Sequence, residues 1–306
     1  MRSNASQPAL ARAPAAFLLG GVIGHATDPY LAKPAMRAKR TAGPPAALDA
    51  GALAVRAALR RRGLFWEGER DPTPLLVPVG AARDRHYELL GHYSYRLFLR
   101  DVLKQREDLR PAWLGRYVGP AVAARYLRFL ADAGLVRPTG RGVYRLGDER
   151  VVSFGGTLEW YVAQVLAREF ECASAHGLRI AHAAHGGDYD VIACTEGEVV
   201  YVETKSAPPR QIVQEEVGAF LDRVDTLRPD LALFLADTTL RMRDKLVPLF
   251  AAEAVRRGLA WEAARLEREL WRVGPEVYLL NADPDLRRNL GACLAAHFRR
   301  RGIALG

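Results

Sequence analysis

Three cysteines, Cys172, Cys194 and Cys293, are spread through 306 residues with no CxxC pair among them. That scarcity excludes a disulfide framework and a thiolate zinc site, and it points to a reducing, cytoplasmic compartment. Long hydrophobic runs are also missing. Ala15 to Ile23 follows Arg2 and Arg12 somewhat as a secretory leader would, but Gly20, Gly21 and Gly24 interrupt it. It falls far short of the ~20 residues that cross a bilayer, so no membrane partner is expected. No glycine-rich loop of the P-loop type occurs, and no intrinsic ATPase activity is expected.

What is present is ordinary globular material with an uneven charge. Apolar residues make up 49% and charged residues 26% of the chain, enough to bury a sizeable core. Residues 1–150 hold 25 Lys+Arg against 13 Asp+Glu, whereas residues 151–306 hold 19 against 22. A basic half joined to a carboxylate-bearing half fits a protein in which one part grips a polyanion and the other performs chemistry. Solvated arginines with no partner are the plainer explanation of the same charge.

Periodicity divides the chain into three parts. Residues 1–80 are rich in Ala, Pro and Arg. A helix is expected over Ala46 to Leu64 and a short strand over Leu75 to Val79, with much of the rest of this region expected to be poorly ordered. Residues 82–150 read as three helices, Tyr95 to Gln105, Pro111 to Tyr117 and Pro120 to Ala133, then two short strands around Thr139-Gly140-Arg141-Gly142. This order resembles a winged helix-turn-helix. In such domains the third helix enters the major groove and the wing touches the backbone. The resemblance assigns DNA contact to Arg125 and Arg128 on the third helix and to Arg137 and Arg141 on the wing.

The third part, 151–306, reads helix (Thr157 to Phe170), three strands (Leu178 to Ala183, Tyr189 to Cys194, Val199 to Ser206), helix (Pro209 to Leu227), and a buried strand (Leu231 to Leu235). Helices follow from Leu240 to Arg257 and on to Trp271, then a strand near Val277 to Leu280 and a last helix, Asp285 to Arg300. The fold class is α/β, a mixed sheet flanked by helices.

The hairpin between the second and third strands sets a register. A two-residue turn at Glu196-Gly197 pairs residues whose numbers sum to 393, so Asp190 stands opposite Glu203, with Lys205 on the same face. Two carboxylates directly opposed repel each other. A divalent cation removes that penalty, because hard oxygen ligands suit Mg²⁺ or Mn²⁺. Glu159 heads an apolar stripe of Val162, Ala163, Leu166 and Phe170, where it serves either the helix dipole or the same cation through water. Asp188 is the rival of Asp190, but the register sets it opposite Lys205, which favours an ion pair. His182 and His185 point to opposite faces of a strand end and make a poor metal pair.

Asp190, then Glu203-Thr204-Lys205 thirteen residues on, with Glu159 on the preceding helix, resembles the PD-(D/E)xK nuclease superfamily. Gly186-Gly187-Asp188-Tyr189-Asp190 and the preceding winged-helix pattern are similar to restriction endonucleases of the Mrr type. The naming proline is absent, since Tyr189 precedes Asp190. The resemblance covers roughly 82–238. It implies a restriction-endonuclease-like core, metal-dependent hydrolysis of DNA phosphodiester bonds, Mg²⁺ held by Asp190, Glu203 and the Thr204 carbonyl, and water positioned by Lys205. Left open are a non-catalytic DNA-binding regulator with a degenerate core, a nuclease directed at RNA or junctions, and assembly as a homodimer.

Overall fold

The computed structural model describes residues 50–69, 74–181 and 187–302. The expectations for residues 1–49, including the leader-like run, and for His182 and His185 lie outside the described residues.

Helix α1 (Ala50–Arg61) and strand β1 (Phe65–Glu69) come first, so part of the N-terminal region belongs to the sheet. Helices α2 (Ala82–Leu90), α3 (Tyr93–Gln105), α4 (Pro111–Leu114) and α5 (Pro120–Asp132) follow, then the hairpin of β2 (Val136–Gly140) and β3 (Val143–Leu146). Gly119, at φ 76, turns the chain into α5, where Pro120 takes the first position and has no N–H to leave unsatisfied. Helix α6 (Gly155–Glu169) leads into β4 (Ala173–Ala181), β5 (Asp188–Thr195) and β6 (Glu198–Lys205). Helix α7 (Gln214–Leu227), β7 (Leu231–Ala236), α8 (Leu246–Arg256), β8 (Ala264–Glu267), β9 (Leu270–Arg272), β10 (Val277–Leu280) and α9 (Leu286–Arg300) complete the order.

Eight strands form one mixed sheet in the order β1-β4-β5-β6-β7-β10-β9-β8. Strands β6, β7 and β10 run parallel, and the other pairings are antiparallel. One face packs on α6 and α9 in a core continuous with α2, α3 and α5. The other face packs on α1, α7 and α8. Strand β7, Leu-Ala-Leu-Phe-Leu-Ala, is apolar throughout because it is covered on both faces. Among the described residues no helix is long and apolar enough to cross a membrane.

Three expectations are corrected. Leu75 to Val79 is irregular rather than a strand, although Leu76 is anchored where its N–H donates to Thr157 Oγ1 at 3.0 Å. The helix expected from Pro209 is a single 3-10 turn (Pro209–Gln211), two extended residues, and only then α7. The stretch expected to be helical up to Trp271 forms the β8–β9 hairpin, which joins the sheet through pairing of β9 with β10.

Candidate functional site at a fork in the sheet

The β5–β6 hairpin has the expected register, Thr195↔Glu198 through Val191↔Val202. Glu196 (φ 52) and Gly197 (φ 80) both take positive φ, as a tight type I′ turn requires. The ladder then stops short of Asp190 and Glu203. Beyond it, β5 stays paired with β4 (Leu178↔Tyr189, Arg179↔Asp188), while β6 stays paired with β7 (Glu203↔Phe234, Thr204↔Leu235, Lys205↔Ala236). The sheet therefore forks between β5 and β6, and the sequence-derived site residues lie at the fork.

A local slip in the strands explains how Asp190 reaches the gap. Tyr189 and Ile192, three residues apart, both pack in the core on the face covered by α1, α7 and α8. On the neighbouring strand Ala175 and Leu178 do the same around Gly177, at φ 58. Strict two-residue alternation is thus broken at Asp190. Its carboxylate turns sideways, and Oδ2 accepts from the Thr204 N–H at 2.7 Å and from Thr204 Oγ1 at 3.2 Å. A carboxylate oxygen replaces the ladder bond that Thr204 would otherwise make. Gly187 brings the chain into β5 tight against β4, where any Cβ would lie 2.5 Å from the Ile180 carbonyl oxygen.

Glu203 is buried and heavily engaged. Arg223 Nη2 donates to its two oxygens at 2.8 and 3.0 Å, Lys205 Nζ stands 3.0 Å from Oε1, and the Tyr201 hydroxyl donates to Oε2. Lys205 also pairs with Glu216 Oε1 at 3.0 Å, while Glu216 Oε2 accepts the Val213 N–H just before α7. The result is a chain of alternating charge, Glu216–Lys205–Glu203–Arg223, with two anions balancing two cations. Tyr201, Glu216 and Arg223 were not singled out from the sequence. The available signals were the two-residue spacing from Tyr201 to Glu203 on a strand and the seven-residue spacing from Glu216 to Arg223 on a helix.

Protonation follows from these contacts. Burial opposes the charge on Glu203, but Arg223 and Lys205 outweigh it and lower its pKa, so Glu203 is ionised. Burial likewise opposes the charge on Lys205, but Glu203 and Glu216 more than compensate and raise its pKa, so the amine stays protonated. Asp190 differs. Burial, then Glu203, then Glu159 push its pKa well above the usual carboxylate range, against the Thr204 N–H and Lys205. The residue nevertheless retains some exposed surface. Among the described residues Asp190 has no ion pair, because Lys205 and Arg223 both turn to Glu203.

Glu159 is buried on α6 and close enough to disfavour charge on Asp190, so the structure brings together all four expected site residues. The expected Asp188–Lys205 pair is corrected: Asp188 pairs across the sheet with Arg179 at 3.2 Å. Arg125, Arg128, Arg137 and Arg141 lie far along the chain from the fork and are exposed, on α5 and on the β2–β3 hairpin. Among the described residues no three His, Cys, Asp or Glu side chains converge as a metal-holding group. The donor set still suits a hard cation. Thr204 bonds Oδ2 of Asp190, and among the described residues Oδ1 takes no hydrogen bond; Mg²⁺ is commonly held by one or two carboxylates with water and substrate phosphate completing its shell.

No protein-family model matches this chain, and no curated protein matches it. Among solved structures it is similar to Can2 from Sulfobacillus thermosulfidooxidans in complex with cyclic tetra-adenylate, at 11% identity and a TM-score of 0.46, over 79% of this chain and 60% of that one. It is also similar to protein VC1899 from Vibrio cholerae, at 14% identity and a TM-score of 0.46, over 82% of this chain and 62% of that one. The chain thus spans less than two thirds of the length of either structure.

Proposed function

We propose that the chain is a metal-dependent endonuclease of the PD-(D/E)xK kind, hydrolysing DNA phosphodiester bonds at the β5–β6 fork. The observation that carries this reading is the unbalanced Asp190 beside a charge-balanced chain of four side chains. A fold gains no stability from a crowded carboxylate without a counter-ion, and a divalent cation shared with Glu203 supplies one. On this reading the sheet is a restriction-endonuclease-like core, and α2 to α5 with the β2–β3 hairpin form a winged helix that holds DNA.

Asp190, Glu203 and the Thr204 carbonyl would hold Mg²⁺ or Mn²⁺. When bound, such an ion supplies Lewis acidity toward phosphate and lowers the pKa of water. Lys205, kept protonated by Glu203 and Glu216, is a donor and not a base. It orients the attacking water or meets negative charge on the phosphate. Arg223 and Glu216 position Glu203 and Lys205, and Glu159 accepts a hydrogen bond from water at the site.

The test is incubation of the purified chain with plasmid, linear duplex, single-stranded DNA and RNA, each with Mg²⁺, Mn²⁺ or EDTA. DNA cleavage that requires metal supports the reading. Cleavage of RNA alone would transfer it to the RNA-directed alternative, and no cleavage of any substrate would favour the non-catalytic regulator.

Lys205→Gln is expected to slow turnover by about a hundredfold, the scale for losing one charge-stabilising donor, while retaining Mn²⁺ affinity, because the amine is not a ligand. Calorimetric titration decides: a variant that loses metal as fully as Glu203→Gln does would make Lys205 structural. The exposed arginines of α5 and of the β2–β3 hairpin should govern affinity instead. Changing Arg125 and Arg141 together to Ala is expected to weaken DNA binding and flatten the slope of log K against log salt by about 1 to 2, leaving cleavage at saturating DNA unchanged. An unaltered slope would show that this face does not touch DNA.

A further inference from the structure

A cavity of about 650 Å³ opens beyond the ends of β6 and β7, lined by Pro209, Arg210, Thr239, Leu240, Arg241, Asp244 and Lys245. These strands are adjacent and parallel, with Lys205 opposite Ala236 at their ends. Pro209 follows Lys205 by four residues and Thr239 follows Ala236 by three, so both walls begin within roughly 10 to 15 Å of chain from the fork.

The walls are fixed. Met242 is buried, and its N–H donates to Glu269 Oε2 at 2.8 Å. Asn281 Nδ2 donates to the Leu240 carbonyl at 3.0 Å, and the Leu240 N–H donates to Thr238 Oγ1 at 3.1 Å. On the other wall Pro209 is buried at the head of a 3-10 turn. With the backbone held, Arg241 and Lys245 line one wall of the cavity and Arg210 the other. None of the three forms an ion pair with any described residue, although Asp244 lines the same space. Three cations against the single Asp244 carboxylate leave the concave site net positive, which suits an anion. The volume exceeds a lone phosphate and falls within the usual range for small-ligand sites. Leu240 is exposed beside the cations and gives the cavity apolar surface for a sugar.

We propose that this cavity is a nucleotide subsite that takes a phosphate of the nucleic-acid strand flanking the bond cut at the fork. Its identity as a phosphate site stands on the cavity alone, and its place on a cleaved strand rests on the proposed nuclease activity. Arg210, Arg241 and Lys245 hold the phosphate, and Thr239 and Leu240 lie against the adjoining sugar.

The experiment measures affinity of the full chain for a fluorescent single-stranded oligodeoxynucleotide in EDTA, so that binding is read without cleavage. Arg241→Ala with Lys245→Ala is expected to weaken binding about tenfold and flatten the salt slope by about 0.7, the loss of one single-strand phosphate contact. Arg210→Ala should weaken it several-fold by itself. A control, Arg299→Ala with Arg300→Ala, removes the same charge from exposed positions on α9 and should leave both readings near wild type. Equal losses in the control and cavity variants, or no loss in the latter, overturn the subsite. A mononucleotide that binds wild type as tightly as the oligonucleotide, and is lost in the cavity variant, would make the occupant a free nucleotide and overturn its place on a strand. If the chain cuts nothing in Mg²⁺ while these EDTA results hold, the nuclease reading fails and the phosphate site stands.

Discussion

Asp190→Asn is expected to reduce DNA cleavage by a thousandfold or more, on the order of losing a principal charge-stabilising group, while raising the melting temperature of the metal-free protein by a few degrees at neutral pH. Both effects have one cause. Burial, Glu203 and Glu159 raise the Asp190 pKa in the folded chain above its unfolded value near 3.8. Below that value both states are protonated and the site costs nothing. As pH rises from there toward the folded pKa, the unfolded state releases a proton that the folded state keeps, so stability falls and then levels off. Asparagine can still accept from the Thr204 N–H and never acquires the charge. The two melting curves should therefore coincide near pH 4 and separate in favour of the variant toward neutrality. Added Mn²⁺ should reverse the order, by about 2.7 kcal/mol for wild type at a hundred times Kd, with no gain for Asp190→Asn. A variant that cuts at the wild-type rate would refute the site. One that loses stability at neutral pH would make Asp190 an ordinary structural carboxylate.

The Asp190–Glu203 relation was legible because it depends on a local device. Glu196-Gly197 fixes a turn, the turn fixes a register, and the register places two carboxylates side by side. The fork was not legible, because it arises where β5 keeps β4 and β6 keeps β7 as partners, and those pairings span long stretches of chain. For the same reason the sequence overstated the direct opposition of the two carboxylates and missed that Glu203 is already held by Arg223. The Ala-, Glu- and Arg-rich run from 262 to 269 has high helical propensity, yet it forms β8 and its turn. Edge pairing with β9, and a reversal at Arg268 with φ 41, override that propensity. Leu75 to Val79 failed in the opposite sense: its β-type composition meets no strand partner.

Asp237→Ala is expected to cost about 3–5 kcal/mol, the scale for stranding a buried charge, and to lower the melting temperature by roughly 10 °C. Asp237 is fully buried one residue past β7. Arg96 of α3 donates to it from Nε at 2.9 Å and from Nη2 at 2.8 Å, and Arg100 Nη2 donates to Oδ2 and, at 3.1 Å, to the Asp237 carbonyl. Arg96, itself buried, spends its remaining donors on the carbonyls of Leu90 and Gly91 at 2.6 and 3.2 Å. Without the carboxylate its guanidinium keeps full charge with no anion in contact. The backbone adds a functional link, since the Asp237 N–H donates to the Lys205 carbonyl at 2.8 Å. One residue therefore joins α3, from the segment proposed to grip DNA, to the strand that carries Glu203 and Lys205. Asp237→Asn, which keeps shape and loses charge, should be intermediate in stability and should lower kcat without weakening metal binding, because Lys205 shifts while Asp190 and Thr204 do not. Replacing Arg96 and Asp237 together with Met and Leu should recover much of the lost stability, as apolar substitutes for buried pairs often do. Thermal unfolding of Arg96→Met, Asp237→Leu and the double closes the cycle. Costs that simply add would mean that Arg96 and Asp237 are not coupled, and that the polar hold of α3 on β7 runs through Arg100.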